Sequence, residues 1–425
     1  MSGFDQGSFG ETARRLADHF SGHLAGHLEL LREMVEINSF TANPAGVDAL
    51  GVLTTKRFAA LGFTAQRVPS ENALYGQHLI LTREGQAEHG RAVPKIGLVS
   101  HLDTVFPAAE EQRNDFRWRV AGERIYGPGT VDIKGGTVLI FMMLAALQDV
   151  LPELYESVTW VVLLDATEEV GGRDFGRLCV EHLAGDTRAC LVFEGGNYDG
   201  EQPRLVAARK GMIIYRIEVE GKAAHAGSSH PQGANAIAQM AEVVRRVCAL
   251  TDYEQDLTFN VGTIAGGTVI NRVPHFASAS VEMRAFRPEV YEAGLKAMLA
   301  LDGLSTVSSY EGGFPCRVSV QVLNHVLPWP RNPQTERLLG VWQATARDLG
   351  YQANPEERAG LSDGNYFWAE LPTLDGLGPA GGNAHCSERS ADGSKDQEYV
   401  LRASFVPKAL LNTMAILRLL AQGEP

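Results

Sequence analysis

Apolar residues fall into two alternating rhythms along this chain, and those rhythms predict its architecture. Between Thr12 and Ile37, Leu16, Phe20, Leu24, Leu28, Leu31 and Met34 recur at helical spacing. A second helix is expected from Val47 to Leu61, ending at Gly62. Strands follow at His78–Thr82 and Lys95–Ser100, then helix Gly135–Gln148, strand Val158–Leu164, helix Asp174–His182 and strand Ala189–Phe193. Strands alternating with helices imply an α/β domain whose mixed sheet is flanked by helices. Beyond Arg204 the order becomes strand Met212–Glu220, helix Ala234–Ala249, strands Thr258–Ile264 and Ala277–Arg284, helix Pro288–Leu301 and strand Arg317–Val322. That order suits a small open-faced α+β sandwich inserted into the larger domain. Leu327–Pro333, rich in proline, reads as the return linker. Helices Gln334–Leu349 and Val406–Leu420 then flank a glycine-rich segment carrying His385. The expected division is 1–206 for the first part of the large domain, 207–325 for the insert and 326–425 for the second part.

Composition narrows the function classes. A chain of 425 residues, 44% hydrophobic and 21% charged, has the make-up of a soluble globular protein of two or three domains. Its net charge of −13, with no dense Lys/Arg stripe, argues against nucleic-acid binding. No stretch approaches about 20 continuous apolar residues, so no membrane span is expected. Met1–Arg15 lacks a basic start followed by an apolar core, so no signal peptide is expected either. Cys179, Cys190, Cys248, Cys316 and Cys386 are odd in number and scattered, which fits a reducing compartment and a cytoplasmic protein.

The candidate chemistry clusters at predicted strand ends and in glycine-bounded loops, where a scaffold can converge distant side chains. His101 follows the strand Lys95–Ser100, and Asp103 is placed to accept its second ring N–H. Asp132 lies in Gly127-Pro128-Gly129-Thr130-Val131-Asp132-Ile133-Lys134-Gly135-Gly136; its two carboxylate oxygens make it the natural bridge between two cations. Glu168 and Glu169 sit side by side at the end of the segment that begins with the apolar run Val158–Leu164, and Glu194 ends the next strand. With His385 these give two histidines and several carboxylates, the donor set of a two-metal hydrolytic centre. Glu169 and Glu194 would be terminal ligands, and Glu168 the uncoordinated general base. Three other features carry less. His19, His23 and His27 fall on one helix stripe, Cys386 adjoins His385, and Ser228 and Ser229 lack a nucleophile-elbow context.

The motif set His-x-Asp-Thr-Val, Gly-Pro-Gly-x-x-Asp-x-Lys-Gly-Gly, Thr-Glu-Glu, Phe-Glu-Gly and a late His resembles the M20 family of co-catalytic zinc peptidases and deacylases, over nearly the whole chain. The resemblance implies a catalytic zinc domain with an inserted ferredoxin-like lid that often dimerises. It puts His101 and Glu194 on one zinc, Glu169 and His385 on the other, Asp132 between them, and Glu168 as base. Cobalt or manganese could replace zinc in such mixed N/O sites. A cis peptide is implied at Asp132–Ile133; Ile133 departs from the Asp or Met of many relatives. Gly221-Lys222-Ala223-Ala224-His225-Ala226-Gly227 is similar to the family's lid motif, whose His steadies the oxyanion, from its own subunit or a partner's. Asn271 and Arg284 match lid positions that often bind a substrate carboxylate, although Arg284 could equally form a lid-stabilising ion pair. Arg209 and Lys210, near the lid hinge, are weaker candidates.

Glu at position 194 is what carboxypeptidases, acylases and desuccinylases of the family usually carry, and the pattern is most similar to the glutamate carboxypeptidase (carboxypeptidase G2-like) group. The implied activity is hydrolysis of an amide next to a free carboxylate, releasing a C-terminal amino acid, glutamate among the options, from a peptidyl or N-acyl donor. The alternative is an N-acyl-amino-acid deacylase of the acetylornithine deacetylase or succinyl-diaminopimelate desuccinylase type. A non-catalytic metal-binding dimeric scaffold is the alternative of another class, and retention of Glu168 speaks against it.

Overall fold

The computed structural model describes residues 6–86, 93–199 and 202–422. The chain divides into two compact units: Met1–Ala207 with Arg331–Glu356 and Ser362–Pro425, and Ala208–Pro330 with Glu357–Leu361.

The first unit is organised by a six-stranded sheet. Its order is Thr64–Pro69, Gln77–Arg83, Thr159–Asp165, Lys95–His101, Thr187–Val192 and Thr373–Leu374. The first two strands pair antiparallel, and Gln77–Arg83 is antiparallel to Thr159–Asp165; the remaining neighbours run parallel. All seven residues of Thr159–Asp165 are buried, as expected of a central strand covered on both faces. Val162 and Leu164 join a large core with helices Gln6–Val35, Lys134–Val150 and Phe405–Ala421, whereas Val161 and Leu163 pack with Phe175 and Cys179 of helix Arg173–His182. His101 is in register with Asp165, so two strands deliver their polar ends to the same sheet edge.

Helix Lys134–Val150 begins directly after the Asp132 loop and is buried along most of its length. A Cβ on Gly136 would fall 2.2 Å from the Phe193 carbonyl oxygen, so only glycine lets the helix start this close to a strand end. The segment from Arg402 to Ala421 is long and apolar enough to span a membrane by length and composition, but 67% of its most apolar stretch is buried, which marks a core helix. A separate small sheet, Gly381–Gly382, Tyr399–Leu401, Arg124–Tyr126 and Arg119–Ala121, ties the segment around His385 to the segment before Asp132.

The second unit has the strand–helix–strand–strand–helix–strand order of a ferredoxin-like sandwich. Its antiparallel sheet runs Thr258–Gly266, Phe276–Ala285, Gly211–Glu220, Arg317–Val326. Along Gly211–Glu220, Ile213, Tyr215, Ile217 and Val219 are buried and pack with Met240 and Val243 of helix Ala236–Cys248. Asn235 caps that helix by accepting the Ala238 N–H at 3.1 Å.

Candidate metal centre

The site is assembled in the first unit from the ends of three buried strands and two loops. His101 closes strand Lys95–His101, Glu168 and Glu169 begin the turn after Thr159–Asp165, and Glu194 follows Thr187–Val192. Asp132 and His385 come from loops. His101 Nε2 lies 3.1 Å from Asp132 Oδ1 and 3.7 Å from Glu194 Oε1. His385 Nε2 lies 3.1 Å from Asp132 Oδ2 and 3.2 Å from Glu169 Oε2. Asp132 therefore faces a different histidine with each oxygen, each half completed by one glutamate. The Asp132–Ile133 peptide is cis, and His385 takes a positive φ of 65°.

The electrostatics show what such a cluster calls for. Burial alone would lower the His101 pKa, but contacts with Asp103, Asp132 and the nearby Glu194 and Glu168 raise it well above the usual imidazole range. Hydrogen bonds to Asp132 and Glu169 push His385 up to about 11. Burial opposes ionisation of Asp132, yet its two histidine partners hold it below the usual carboxylate range. Glu168 is pushed well above its usual pKa, first by burial and then, against the pull of His101, by Glu194, Glu169 and Asp132. Four carboxylates thus meet two imidazoles, and the spot draws positive charge. Divalent cations can supply that charge, and the donors fit them. Donor atoms of His101, Asp132 and Glu169 lie within 4.8 Å of one another, and Glu169 Oε1 is buried without a hydrogen-bond partner.

Asp103 works differently from the sequence expectation. The nearer acceptor for His101 Nδ1 is the Asp103 carbonyl at 3.0 Å; the carboxylate is 3.5 Å away. The carboxylate instead accepts the backbone N–H groups of Glu168 and Glu169 at 3.2 and 3.3 Å and the Thr41 hydroxyl at 2.7 Å. Its position between two buried segments gives it amide partners that spacing alone does not reveal. Asp165 adds a second anchor, accepting from the Thr167 N–H at 2.7 Å and its hydroxyl at 3.0 Å.

The remaining candidates lie in the second unit. His225 is exposed, and its Nδ1 accepts the N–H groups of Gly227 and Ser228 at 3.1 and 3.0 Å. With Nδ1 an acceptor, the neutral ring carries its proton on Nε2. Asn271 is exposed and its carbonyl accepts from the Ala226 N–H. Arg284 donates to both oxygens of Glu282, at 2.6 and 3.3 Å, and to the Ala359 carbonyl. Arg209 is 4% exposed and donates to the carbonyls of Gly360 and Leu361. Lys210 donates to the Asp256 carbonyl. Arg284 and Arg209 are therefore already engaged within their own unit.

The discounted features have local partners. His19 pairs with Asp149, His23 with the His19 carbonyl, and His27 packs on Phe141. Cys386 donates its thiol to the Glu388 carbonyl. One participant has no sequence signal in a single chain: Glu398, fully buried, whose Oε1 accepts from Val131 and Asp132. A lone acidic residue beside a short strand looks like any solvated charge until the fold buries it.

Comparison with known proteins shows the family and the fold. Residues 97–412 match the model of peptidase family M20/M25/M40. The chain is 29% identical to carboxypeptidase G2 of Pseudomonas sp. (strain RS-16) over 64% of its length and 62% of that protein. It is 31% identical to an acetylornithine deacetylase of Myxococcus xanthus over 54% of its length and 59% of that protein. Each match thus spans about three fifths of the curated relative. Among solved structures, aminopeptidase PepT of Bacillus cereus superposes with a TM-score of 0.72 at 20% identity, covering 93% of this chain and 99% of that one. An M20 family metallo-carboxypeptidase of Sulfolobus solfataricus superposes at 0.67 with 16% identity over 93% and 99%. At these identities the superpositions show the fold.

Proposed function

Because the chain belongs to peptidase family M20/M25/M40, we propose that it is a two-metal hydrolase of amide bonds next to a free carboxylate. It would release a C-terminal amino acid, glutamate among the candidates, from a peptidyl or N-acyl donor. The observation that carries this reading is Asp132, whose oxygens each sit 3.1 Å from a different histidine while Glu168 stands beside them outside both pairs. His101, Glu194 and Asp132 would hold one cation, and His385, Glu169 and Asp132 the other. Zinc is the proposed ion, on the strength of the mixed imidazole and carboxylate donors. When bound, such cations supply Lewis-acid polarisation and make water acidic at the site.

The protein's own groups do the rest. Glu168 removes a proton from the attacking water as its oxygen adds to the carbonyl carbon. The carbon–nitrogen bond then breaks, and Glu168 returns the proton to the departing amine. Asp103 holds the amides of Glu168 and Glu169 and so fixes where that carboxylate stands. His225, with its proton on Nε2, is assigned to the oxyanion. Asn271, Arg284 and Arg209 are assigned to the substrate carboxylate, and for the two arginines that role requires exchanging present partners. Exposed Ile264 on the edge strand Thr258–Gly266 and exposed Ile270 in the segment after it support assembly as a homodimer through the second unit. Five unpaired cysteines support a cytoplasmic location.

The test is zinc-loaded protein with N-acyl-glutamate, other N-acyl amino acids and N-acetylornithine, alongside Glu168→Ala. Turnover is expected to fall about 10²- to 10⁴-fold, the usual range for a lost acid–base group, with metal content unchanged. Loss of metal in that variant would make Glu168 a ligand and overturn the mechanism. Preference for N-acetylornithine would move the substrate to the deacylase class.

A further inference from the structure

Glu398 fastens together the two loops that carry Asp132 and His385. Its side chain is fully buried, and Oε1 accepts the N–H groups of Val131 at 2.9 Å and Asp132 at 3.2 Å. Its backbone N–H donates to the Cys386 carbonyl at 2.8 Å, next to His385, and its own carbonyl accepts the Gly127 N–H at 3.4 Å. The following residues, Tyr399–Leu401, pair antiparallel with Arg124–Tyr126 and with Gly381–Gly382. One residue thus grips the Asp132 loop by side chain and main chain and the His385 loop by main chain. Its second oxygen, Oε2, is buried without a hydrogen-bond partner. A buried carboxylate with half its acceptor capacity unused is costly for stability alone. Its value lies in the amide it orients.

We propose that Glu398 is the positioning residue of the bridging carboxylate: it aims Asp132 so that its oxygens meet His101 and His385 separately, and it sets the spacing of the two loops. This rests on the two-cation reading above. Outer partners that orient ligands typically contribute about 10- to 100-fold to metal affinity. Metal-free protein is titrated with Zn²⁺ under chelator competition, and with Co²⁺ followed by visible absorption, for wild type, Glu398→Gln and Glu398→Ala.

Wild type is expected to bind two equivalents. Glu398→Ala is expected to weaken at least one of them about 10- to 100-fold, alter the Co²⁺ spectrum and lower kcat more than it raises KM. Glu398→Gln keeps a carbonyl oxygen as acceptor for both amides and is expected to restore most of the affinity. If Glu398→Ala does not fold, Glu398→Asp takes its place, since its acceptor is one methylene short and the same loss is expected. Wild-type affinity and spectrum in the Ala or Asp variant, with only thermal stability lowered, would overturn the proposal. Wild type that binds no metal would instead overturn the two-cation reading beneath it.

Discussion

The two units handle charge in opposite ways. In the second, Arg284 and Glu282 share a two-pronged pair, and Arg216 and Glu218 meet at 2.7 Å, so acids on the sheet lie beside bases. In the first, Asp132, Glu168, Glu169 and Glu194 gather around His101 and His385 at one sheet edge, with Glu168 held far above its usual pKa. Compensated pairs settle a structure; an uncompensated cluster reserves a place for something else. Behind the cluster, at the end of the strand Thr159–Asp165, the first unit also compensates charge. Buried His78 sits 2.9 Å from Asp165 and 3.1 Å from Asp174.

His78 should give the largest stability effect. Burial would lower its pKa, but hydrogen bonds to Asp165 and Asp174 outweigh that and raise it to about 9. A folded-state value above the unfolded one means the stabilisation is complete below about pH 6.5 and is lost as pH rises through about 9. The amount is on the order of 3 kcal/mol. Urea unfolding from pH 6 to 9.5 should show this decline in the wild type, and His78→Gln, less stable at pH 6, should lack it.

Glu168→Gln should have a smaller effect of the opposite sign. Removing one of several crowded carboxylates should stabilise the metal-free protein by about 1–2 kcal/mol while abolishing turnover, as expected where a site trades stability for function. A lower melting temperature for this variant in chelator would show that the cluster is not under electrostatic tension. Arg284→Ala should matter least. Its pair with Glu282 is partly exposed, so denaturant titration should find a loss of about 1 kcal/mol or less.

The contrast also explains what could be read from the chain. The run Val158–Leu164 is apolar at every position but Thr159 because helices cover both faces of the strand, and that pattern survives in one sequence. The insert shows because its strands keep period-two burial, as in Gly211–Glu220. Strand Thr64–Pro69 escaped notice because it is an edge strand with no buried face to impose alternation. Asp132, His101 and His385 were legible because glycine loops and strand ends frame them. Glu398 and the true partners of Asp103 were not, since their contacts join residues hundreds of positions apart or depend on backbone amides that carry no residue identity. The commitment of Arg284 to Glu282 was legible only as an open alternative.

The grip of Asp103 on two consecutive amides has a mechanical corollary. The 168 and 169 side chains project from a single clamped backbone segment, so one carboxylate sets the place of both. A change at Asp103 would therefore release both glutamates at once, where a change at either glutamate leaves the clamp in place.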